Sequence, residues 1–202
     1  MAIFLIRHGE TASNAARVLQ HPETPLSERG LEQAARLGER LRRRALARIL
    51  VSDYARARQT AEAVAATTGA PLDVTPLLRE RNFGHLRGRP YAELAEEGID
   101  PFADGYAPPG GEGWADFHAR VEEAWAHVTA AAAVAAGDIA VVTHGLVCHS
   151  VVDRHAVLAP GVRAVAGWAN TSVTVLEPGE PWTVTLLGCA AHLDEVRETG
   201  RA

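Results

Sequence analysis

The chain has 202 residues, a length that a single hydrophobic core can serve. Hydrophobic residues make up 47% of it and charged residues 22%, proportions that exclude disorder by composition. The net charge of -5 argues against non-specific nucleic-acid binding, although a local basic pocket for a small anion stays open. All 20 basic residues are arginine, which excludes lysine Schiff bases, pyridoxal-phosphate anchors and P-loops.

The number of cysteines and the lengths of the apolar runs indicate the cellular compartment of the protein. Cys148 and Cys189 are too few for a disulfide framework. The longest stretch of small apolar residues, 130–142, is broken by a Gly-Asp pair, and the apolar run 1–6 is too short for a signal peptide. We therefore predict a cytoplasmic protein with no membrane segment and no nucleic-acid partner.

Apolar runs and helical periodicity alternate along the chain. Strands are predicted where apolar residues run continuously, and helices where they recur every three or four positions. The predicted strands are residues 2–6, 49–51, 72–75, 139–142, 172–176 and 182–187. The predicted helices are residues 27–41, 55–67, 91–97, 114–136 and 147–155.

This alternation predicts an α/β fold with a mostly parallel central sheet flanked by helices on both faces. No repeat, linker or low-complexity segment divides the chain, so we predict a single domain over residues 1–202. Residues 80–113 are rich in Gly and Pro and are longer than a usual loop. We expect this stretch to form a cap-like segment above the sheet.

Charged and polar residues follow three of the predicted strands. Arg7 and His8 come directly after the first strand, Arg56 lies shortly after the second, and His144 follows the strand at 139–142. Open parallel sheets bind ligands beyond the carboxyl ends of their strands, so these side chains meet there if the strands are neighbours. Helices begin at the same edge, and their N-termini favour an anion.

Two histidines and two arginines at one edge suit phosphoryl transfer. Arginine forks match paired phosphate oxygens, one neutral histidine can attack phosphorus, and the other can donate hydrogen bonds. These groups neutralise charge without a metal ion. The leaving oxygen still needs a proton donor, for which Glu80 is the best candidate and Glu10 the nearest competitor.

Six short motifs follow one another along nearly the whole chain. They are Arg7-His8-Gly9-Glu10-Thr11 with Asn14, Thr24-Pro25-Leu26-Ser27 with Gly30, the run 52–60 with Arg56, Leu78-Arg79-Glu80 with Phe83-Gly84, Pro109-Gly110-Gly111-Glu112 with Arg120, and Thr143-His144-Gly145. In kind and order these motifs resemble the histidine phosphatase superfamily, which includes cofactor-dependent phosphoglycerate mutases and many phosphatases. The resemblance implies a phosphoglycerate mutase-like, three-layer fold.

The resemblance also implies roles for individual residues. A phosphohistidine would form at His8, with Arg7, Arg56 and His144 around the phosphate. Glu80 would act first as general acid and then activate water. A second set would contact the phosphate or the substrate, namely Thr11, Asn14, Gln20, His21, Gly145 and Leu146. No metal and no cofactor is implied.

Three features depart from the family pattern. His21 follows Gln20 where a glycine is common, and Arg87 stands where an acidic residue is frequent and could serve a second anionic group. The stretch between Tyr91 and Pro109 is shorter than in the mutases, where an insertion supports the sugar-phosphate site. We therefore favour a metal-independent phosphomonoester hydrolase.

Simpler interpretations exist for several of these residues. Glu80 could be a solvated loop carboxylate, and Asn14 could cap a turn or helix. Solvated side chains are the simplest interpretation for three others, namely His21, Arg81 and Arg87. A zinc site at His144 and His149 with the intervening cysteine lacks a second ligand pair, so we predict no metal.

Two other functions stay open at this point. One is a mutase that transfers phosphate within one substrate, and the other is a non-catalytic module that binds a phosphate ligand. The partner is expected to be a small phosphorylated metabolite, with sugar phosphates, phosphoglycerates and cobalamin-pathway nucleotide phosphates as candidates. A homodimer is a guess that the sequence does not test.

Overall fold

A computed structural model of the protein describes residues 1–165 and 167–194. Its strands form one sheet and are β1 (Ile3–Arg7), β2 (Leu46–Ser52), β3 (Leu72–Thr75), β4 (Asp138–Thr143), β5 (Ala156–Leu158), β6 (Val173–Glu177) and β7 (Trp182–Cys189). The α-helices are α1 (Ala12–Ala15), α2 (Glu28–Leu41), α3 (Ala55–Thr68), α4 (Tyr91–Glu96), α5 (Trp114–Val134) and α6 (Gly145–His155). Three short 3₁₀ turns lie at Pro76–Leu78, Gly84–Leu86 and Ala191–Leu193.

The strand order in the sheet is β3-β2-β4-β1-β6-β7-β5, and all strands except β6 run in one direction. The mostly parallel sheet predicted from the sequence is therefore confirmed. At its centre, Val141 of β4 lies opposite Leu5 of β1 on one side and Leu50 of β2 on the other. Because β1, β2 and β4 are parallel neighbours, the residues that follow them meet at one edge of the sheet.

Helices cover both faces of the sheet and make a three-layer fold. Side chains alternate along a strand, so Phe4 and Ile6 of β1 pack with α2 and α3, while Ile3 and Leu5 pack with α5 and α6. The two apolar layers contain the largest buried clusters of the molecule. Over the described ranges, no helix is both long and apolar enough to cross a membrane.

The predicted strands and helices are observed, with shifts of a few residues at their ends. Helix α2 begins after Ser27, whose hydroxyl accepts a hydrogen bond from the backbone N–H of Gly30 at 3.1 Å. Two elements were not predicted, α1 and β5. They span four and three residues, too few for a periodic pattern to appear in the sequence.

The segment 80–113 packs in a small apolar cluster that it shares with Leu19 and with Leu146 of α6. Its buried residues are Leu19, Phe83, Leu86 and Leu94. The chain turns back closely on itself at Gly84, which has φ +51°, and a Cβ there would lie 2.1 Å from the carbonyl oxygen of Pro109. Glu112 then forms a two-pronged ion pair with Arg120 of α5, with N–O distances of 2.7 and 2.8 Å.

Candidate active site

His8 follows β1 and is buried, with 2% of its surface exposed. Its backbone N–H donates to the carbonyl of Thr143 at 2.9 Å, so the end of β1 is held against the end of β4. The ring Nδ1 lies 2.7 Å from the carbonyl oxygen of Gly9, which can only accept, so Nδ1 carries the proton. Nε2 accepts from the Nε–H of Arg56 at 3.3 Å and is therefore the unprotonated nitrogen.

The surroundings of His8 keep its imidazole neutral. Burial lowers the pKa of His8 well below its usual value, and the nearby positive charges of Arg56 and Arg7 lower it further. At neutral pH Nε2 therefore carries no proton, and its lone pair accepts the 3.3 Å hydrogen bond from Arg56. A buried, neutral imidazole with a fixed tautomer is the form in which histidine acts as a nucleophile.

The two arginines predicted to bind phosphate lie beside His8. Arg56 is buried in the first turn of α3 and donates from Nη1 to the carbonyl of His21 at 3.0 Å. Burial lowers the pKa of Arg56 to about 10, so it is still charged at neutral pH. Arg7 donates from Nη1 to the carbonyl of Trp168, while its buried Nε–H has no partner.

His144 lies across from His8, with 5.1 Å between the ring centroids. Its Nε2 is 2.8 Å from the hydroxyl of Ser52, which also accepts from the backbone N–H of Tyr54 at 3.3 Å. A hydroxyl oxygen has two lone pairs, so Ser52 can either donate to Nε2 of His144 or accept from it; when Ser52 donates, the ring proton of His144 lies on Nδ1. That Nδ1 is buried and has no partner. Burial, and then the charge of Arg56, lower the pKa of His144 well below its usual value, which keeps the ring neutral.

Two buried nitrogens near His8 have no hydrogen-bond partner. They are Nε of Arg7 and Nδ1 of His144, and unpaired buried polar groups are rare in folded proteins. Helix α6 also begins here, directly after His144. The arrangement can therefore bind a tetrahedral anion next to Nε2 of His8.

Glu80 lies at the same edge, as predicted. Its Oε2 accepts from the backbone N–H of Leu146 at 3.2 Å, and its Oε1 accepts from the N–H of Arg81 at 2.9 Å. Burial raises the pKa of Glu80, although these hydrogen bonds and the nearby arginines oppose the rise. The competitor Glu10 instead accepts from the hydroxyl of Ser27 at 3.1 Å, at the start of α2.

A cavity of about 260 Å³ contains most of these groups, but His144 and Glu10 do not line it. It is lined by Arg7, His8, Asn14, Gln20, Tyr54, Arg56, Glu80, Arg81, Phe83, Arg87, Tyr91, Phe102, Gly145, Leu146, His149 and Trp168. A second, more open cavity of about 810 Å³ shares three of these residues, Tyr54, Glu80 and Arg87. The lining of the first cavity includes four of the six residues predicted to contact the phosphate or the substrate, Asn14, Gln20, Gly145 and Leu146.

The other two members of that set, Thr11 and His21, do not line the cavity. The hydroxyl of Thr11 accepts from the N–H of Asn14 at 3.0 Å and donates to Gln20 at 2.8 Å, so it caps α1 and has no proton left for phosphate. The side chain of His21 lies against Gly88, and only its carbonyl reaches Arg56. Both residues therefore lie outside the cavity lining, and their contact with phosphate or substrate stays a prediction.

The prediction that the Arg81 side chain is solvated is wrong, because this side chain is buried. It is 1% exposed and donates to the carbonyls of Pro101, Tyr106 and Glu112. Arg87 donates to the hydroxyl of Tyr54 at 3.1 Å at the junction of the two cavities.

Asn170 and Trp168 belong to the site and were missed in the sequence. The amide of Asn170 donates to the carbonyl of His8 at 3.0 Å and to the side-chain oxygen of Asn14 at 3.3 Å. Both residues precede β6, which is antiparallel to β1. Because β6 runs antiparallel to β1, the residues that precede β6 lie at the same edge of the sheet as the residues that follow β1. The polar run 170–172 before β6 was therefore the sequence signal for these site residues.

Metal and thiol chemistry find little support among the described residues. No group of three or more His, Cys, Asp or Glu in the described ranges is placed to hold a metal ion. Burial raises the pKa of Cys148, which therefore stays a protonated thiol.

Known proteins are similar to this chain in fold and in sequence. The family model of the histidine phosphatase superfamily (branch 1) matches residues 3–188. Phosphoglycerate mutase-like protein 4 of Arabidopsis thaliana is 35% identical over 211 residues, which cover 96% of this chain and 87% of that protein.

Two solved phosphatases superpose on nearly the whole chain. One is the mycobacterial glucosyl-3-phosphoglycerate phosphatase with VO3, with a TM-score of 0.75, 27% identity and coverage of 91% of this chain and 96% of that one. The other is the alpha-ribazole phosphatase from Shigella flexneri, with a TM-score of 0.76, 26% identity and coverage of 94% and 97%. Together with the family match, they show that this chain belongs to branch 1 of the histidine phosphatase superfamily.

Proposed function

We propose that the protein is a metal-independent phosphomonoesterase that acts through a phosphohistidine at His8 on a small phosphorylated metabolite. One observation carries the proposal: the unprotonated Nε2 of His8, which accepts from Arg56, lies near buried nitrogens of Arg7 and His144 that have no partner. A phosphate dianion would accept from both donors and bring its phosphorus to Nε2. The two solved relatives named as phosphatases support the same reaction class.

In the first step, the Nε2 lone pair of His8 forms a bond to phosphorus as the ester P–O bond breaks. The leaving oxygen takes the proton of Glu80. Because the pKa of Glu80 is raised, this carboxyl group keeps its proton to a higher pH than an ordinary carboxyl group does. The alcohol departs neutral, and the imidazole becomes a phosphorylated cation. Its Nδ1–H still donates to the carbonyl of Gly9, which stabilises that charge.

In the second step, Glu80 is a carboxylate and accepts a proton from water as the water oxygen attacks phosphorus. The P–N bond breaks, the electron pair returns to Nε2, and inorganic phosphate leaves. Glu80 and His8 are then back in their starting forms. Arg7, Arg56 and His144 neutralise charge on the phosphoryl oxygens throughout.

The name of the Arabidopsis relative raises the mutase alternative. In that reaction the phosphohistidine would pass its phosphoryl group to a second hydroxyl instead of water. Incubation with 3-phosphoglycerate and a bisphosphorylated primer, followed by ³¹P NMR, separates the two outcomes. Formation of free phosphate supports a phosphatase, and formation of the positional isomer supports a mutase.

The deciding experiment is hydrolysis of p-nitrophenyl phosphate with EDTA present, in wild type, His8→Ala and His127→Ala. His127 is an exposed histidine of α5 outside the cavity and serves as the matched control. We expect EDTA-resistant turnover in wild type and His127→Ala, and a loss of at least about 10⁴-fold in His8→Ala. Equal activity in all three would exclude His8 as nucleophile, and no activity in any would favour the binding module.

A phosphohistidine is detected directly by acid-sensitive, base-stable labelling of the protein after rapid quenching.

The cytoplasmic location, the homodimer and the division into a single domain with a cap-like segment stay predictions.

A further inference from the structure

The cavity that contains His8 has a second side made of aromatic rings. The chain has four Trp, three Tyr and four Phe residues, and five of these line this cavity. They are Tyr54, Phe83, Tyr91, Phe102 and Trp168. We call three of these, Phe83, Tyr91 and Phe102, the aromatic wall, because their rings contact one another. Such a concentration in a small cavity is typical of a surface that contacts carbon-rich ligands.

Phe102 is the centre of the aromatic wall. Its ring makes edge-to-face contacts with Phe83 and Tyr91, with centroids 5.6 and 5.7 Å apart. It is nevertheless 39% exposed, although a phenyl ring gains free energy when it leaves water. A ligand that covers this ring would remove that exposed apolar surface.

The aromatic wall is held in place before any ligand binds. Arg81 donates to the carbonyls of Pro101 and Tyr106, on either side of the segment that carries Phe102. Its guanidinium also lies over the ring of Trp114, 4.0 Å from the centroid. A wall that is already ordered costs little conformational entropy on binding.

Of the four arginines that line the cavity, Arg87 is the one that could bind a second anion. Four arginines line the cavity, and three are already engaged: Arg7 and Arg56 beside His8, and Arg81 with backbone carbonyls. The fourth, Arg87, donates to the hydroxyl of Tyr54. One hydrogen bond leaves most N–H groups of Arg87 available, so Arg87 competes with the rings for the leaving group, and the Arg87→Met variant below tests this competition.

We propose that the site selects phosphate monoesters whose leaving alcohol carries an apolar aliphatic or aromatic group, which lies against the aromatic wall. This inference rests on the proposed function for the phosphate end of the site. The cavity of about 260 Å³ has the size of a small-molecule site, and it meets the more open cavity at Tyr54, Glu80 and Arg87. A highly charged substrate such as a phosphoglycerate would leave the wall uncovered.

The first test measures binding without chemistry. Ethyl-, butyl- and hexylphosphonate are titrated by calorimetry into wild type, Phe102→Ala and Phe102→Leu. Burial of each methylene predicts a Kd about threefold lower per carbon, or on the order of 10²-fold from ethyl to hexyl. Phe102→Ala should lose about tenfold on hexylphosphonate and little on ethylphosphonate, whereas Phe102→Leu keeps most of the preference.

The second test repeats the series with ethyl, butyl and hexyl phosphate as substrates. Their leaving alcohols have similar acidity, so a rise in kcat/KM with chain length reports contact with the wall. Val134→Ala is the control, because Val134 is an apolar side chain that is 80% exposed at the far end of α5. It should leave both series unchanged.

The two tests separate this inference from the proposed function. Hydrolysis with no dependence on chain length in either series would overturn the aromatic-wall proposal and leave the phosphatase intact. Chain-length-dependent phosphonate binding without hydrolysis would keep the wall and reject the phosphatase. If glycerol phosphate or 3-phosphoglycerate is preferred over hexyl phosphate, and Arg87→Met removes that preference, the site selects anions and our proposal is wrong.

Discussion

The two sides of the cavity are built in different ways. On the phosphate side, Arg7 and His8 lie at the end of β1, Arg56 lies just after β2, and His144 follows β4. On the other side, the rings of the aromatic wall come from loops and from the first residue of α4. No strand carries a ring of the wall, and their positions depend on Arg81 and a small apolar cluster.

This difference separates the chemistry from the specificity. The phosphate side is attached to the most buried strands, so its geometry is as rigid as the core. The wall is attached to a segment that packs in a small apolar cluster, which can change without disturbing the sheet. Variants on the phosphate side should therefore alter all substrates alike, whereas variants behind the wall should alter the order of preference.

The largest effect after loss of the nucleophile is expected for Glu80→Gln. Loss of the general acid should lower kcat by about 10²–10⁴-fold on alkyl phosphates. The decrease should be smaller on p-nitrophenyl phosphate, whose leaving group needs less protonation. A uniform decrease on both substrates would contradict proton donation by Glu80.

The pH dependence of Glu80→Gln tests whether Glu80 acts in its protonated form. The lowered pKa of His8 keeps the nucleophile neutral through the weakly acidic range, so it sets no limit there. The raised pKa of Glu80 keeps the acid protonated to higher pH than usual, and its contribution is lost as the pH rises through that pKa. The ratio of wild-type to Glu80→Gln kcat should therefore fall with increasing pH. A constant ratio would exclude this role.

The next effect in size is expected for Ser52→Ala. Without the hydroxyl, nothing fixes the proton of His144 on Nδ1, and the donor towards phosphate is lost in part of the population. We expect kcat/KM to fall about 10–100-fold on every substrate, with the chain-length preference unchanged. The ¹⁵N shifts of the His144 ring should move from the Nδ1–H form towards a mixture of tautomers.

Ser150→Ala is the matched control for this variant. Ser150 is equally buried and bonds a histidine ring, Nδ1 of His118, at 3.1 Å, but it does not line the cavity of His8. Its loss should leave kcat/KM and the His144 shifts as in wild type. If both serine variants lose activity equally, the effect of Ser52 is on stability and not on the tautomer.

Sequence patterns predicted the phosphate side better than the wall for the same structural reason. His8, Arg56 and His144 follow strands, and parallel strands bring their ends together. Asn170 was missed because it precedes an antiparallel strand, where the relevant edge is at its start. Phe102 was missed because its position depends on contacts with distant residues, which no local pattern records.

Arg81 was interpreted as solvated because most arginines are. Its burial follows from three backbone carbonyls that come together only in the folded segment, from Pro101, Tyr106 and Glu112. The hydrogen bonds of a side chain to distant carbonyls leave no trace in a single sequence. The specificity side of the site is therefore the part for which a structure is needed.

The smallest effect on catalysis, and the most selective one, is expected for Arg81→Leu. Three carbonyls lose their donor, so the free energy of unfolding should fall by about 2 kcal/mol or more, as measured by urea denaturation. The Phe102 segment loses its support, so kcat/KM for hexyl phosphate should approach that for ethyl phosphate. The rate on ethyl phosphate itself should change less than about tenfold, because Arg7, Arg56 and His144 are held independently.

Arg89→Leu tests whether the position or merely the charge of Arg81 matters. Arg89 lies in the same segment but forms an exposed ion pair with Glu97, so its loss should change neither stability nor the chain-length preference measurably. Arg81→Lys keeps the charge but not the planar fork, and should fall between Arg81→Leu and wild type. If Arg81→Leu lowers the rates on ethyl and hexyl phosphate by the same factor, the two sides of the cavity are not independent, and the separation of chemistry from specificity fails.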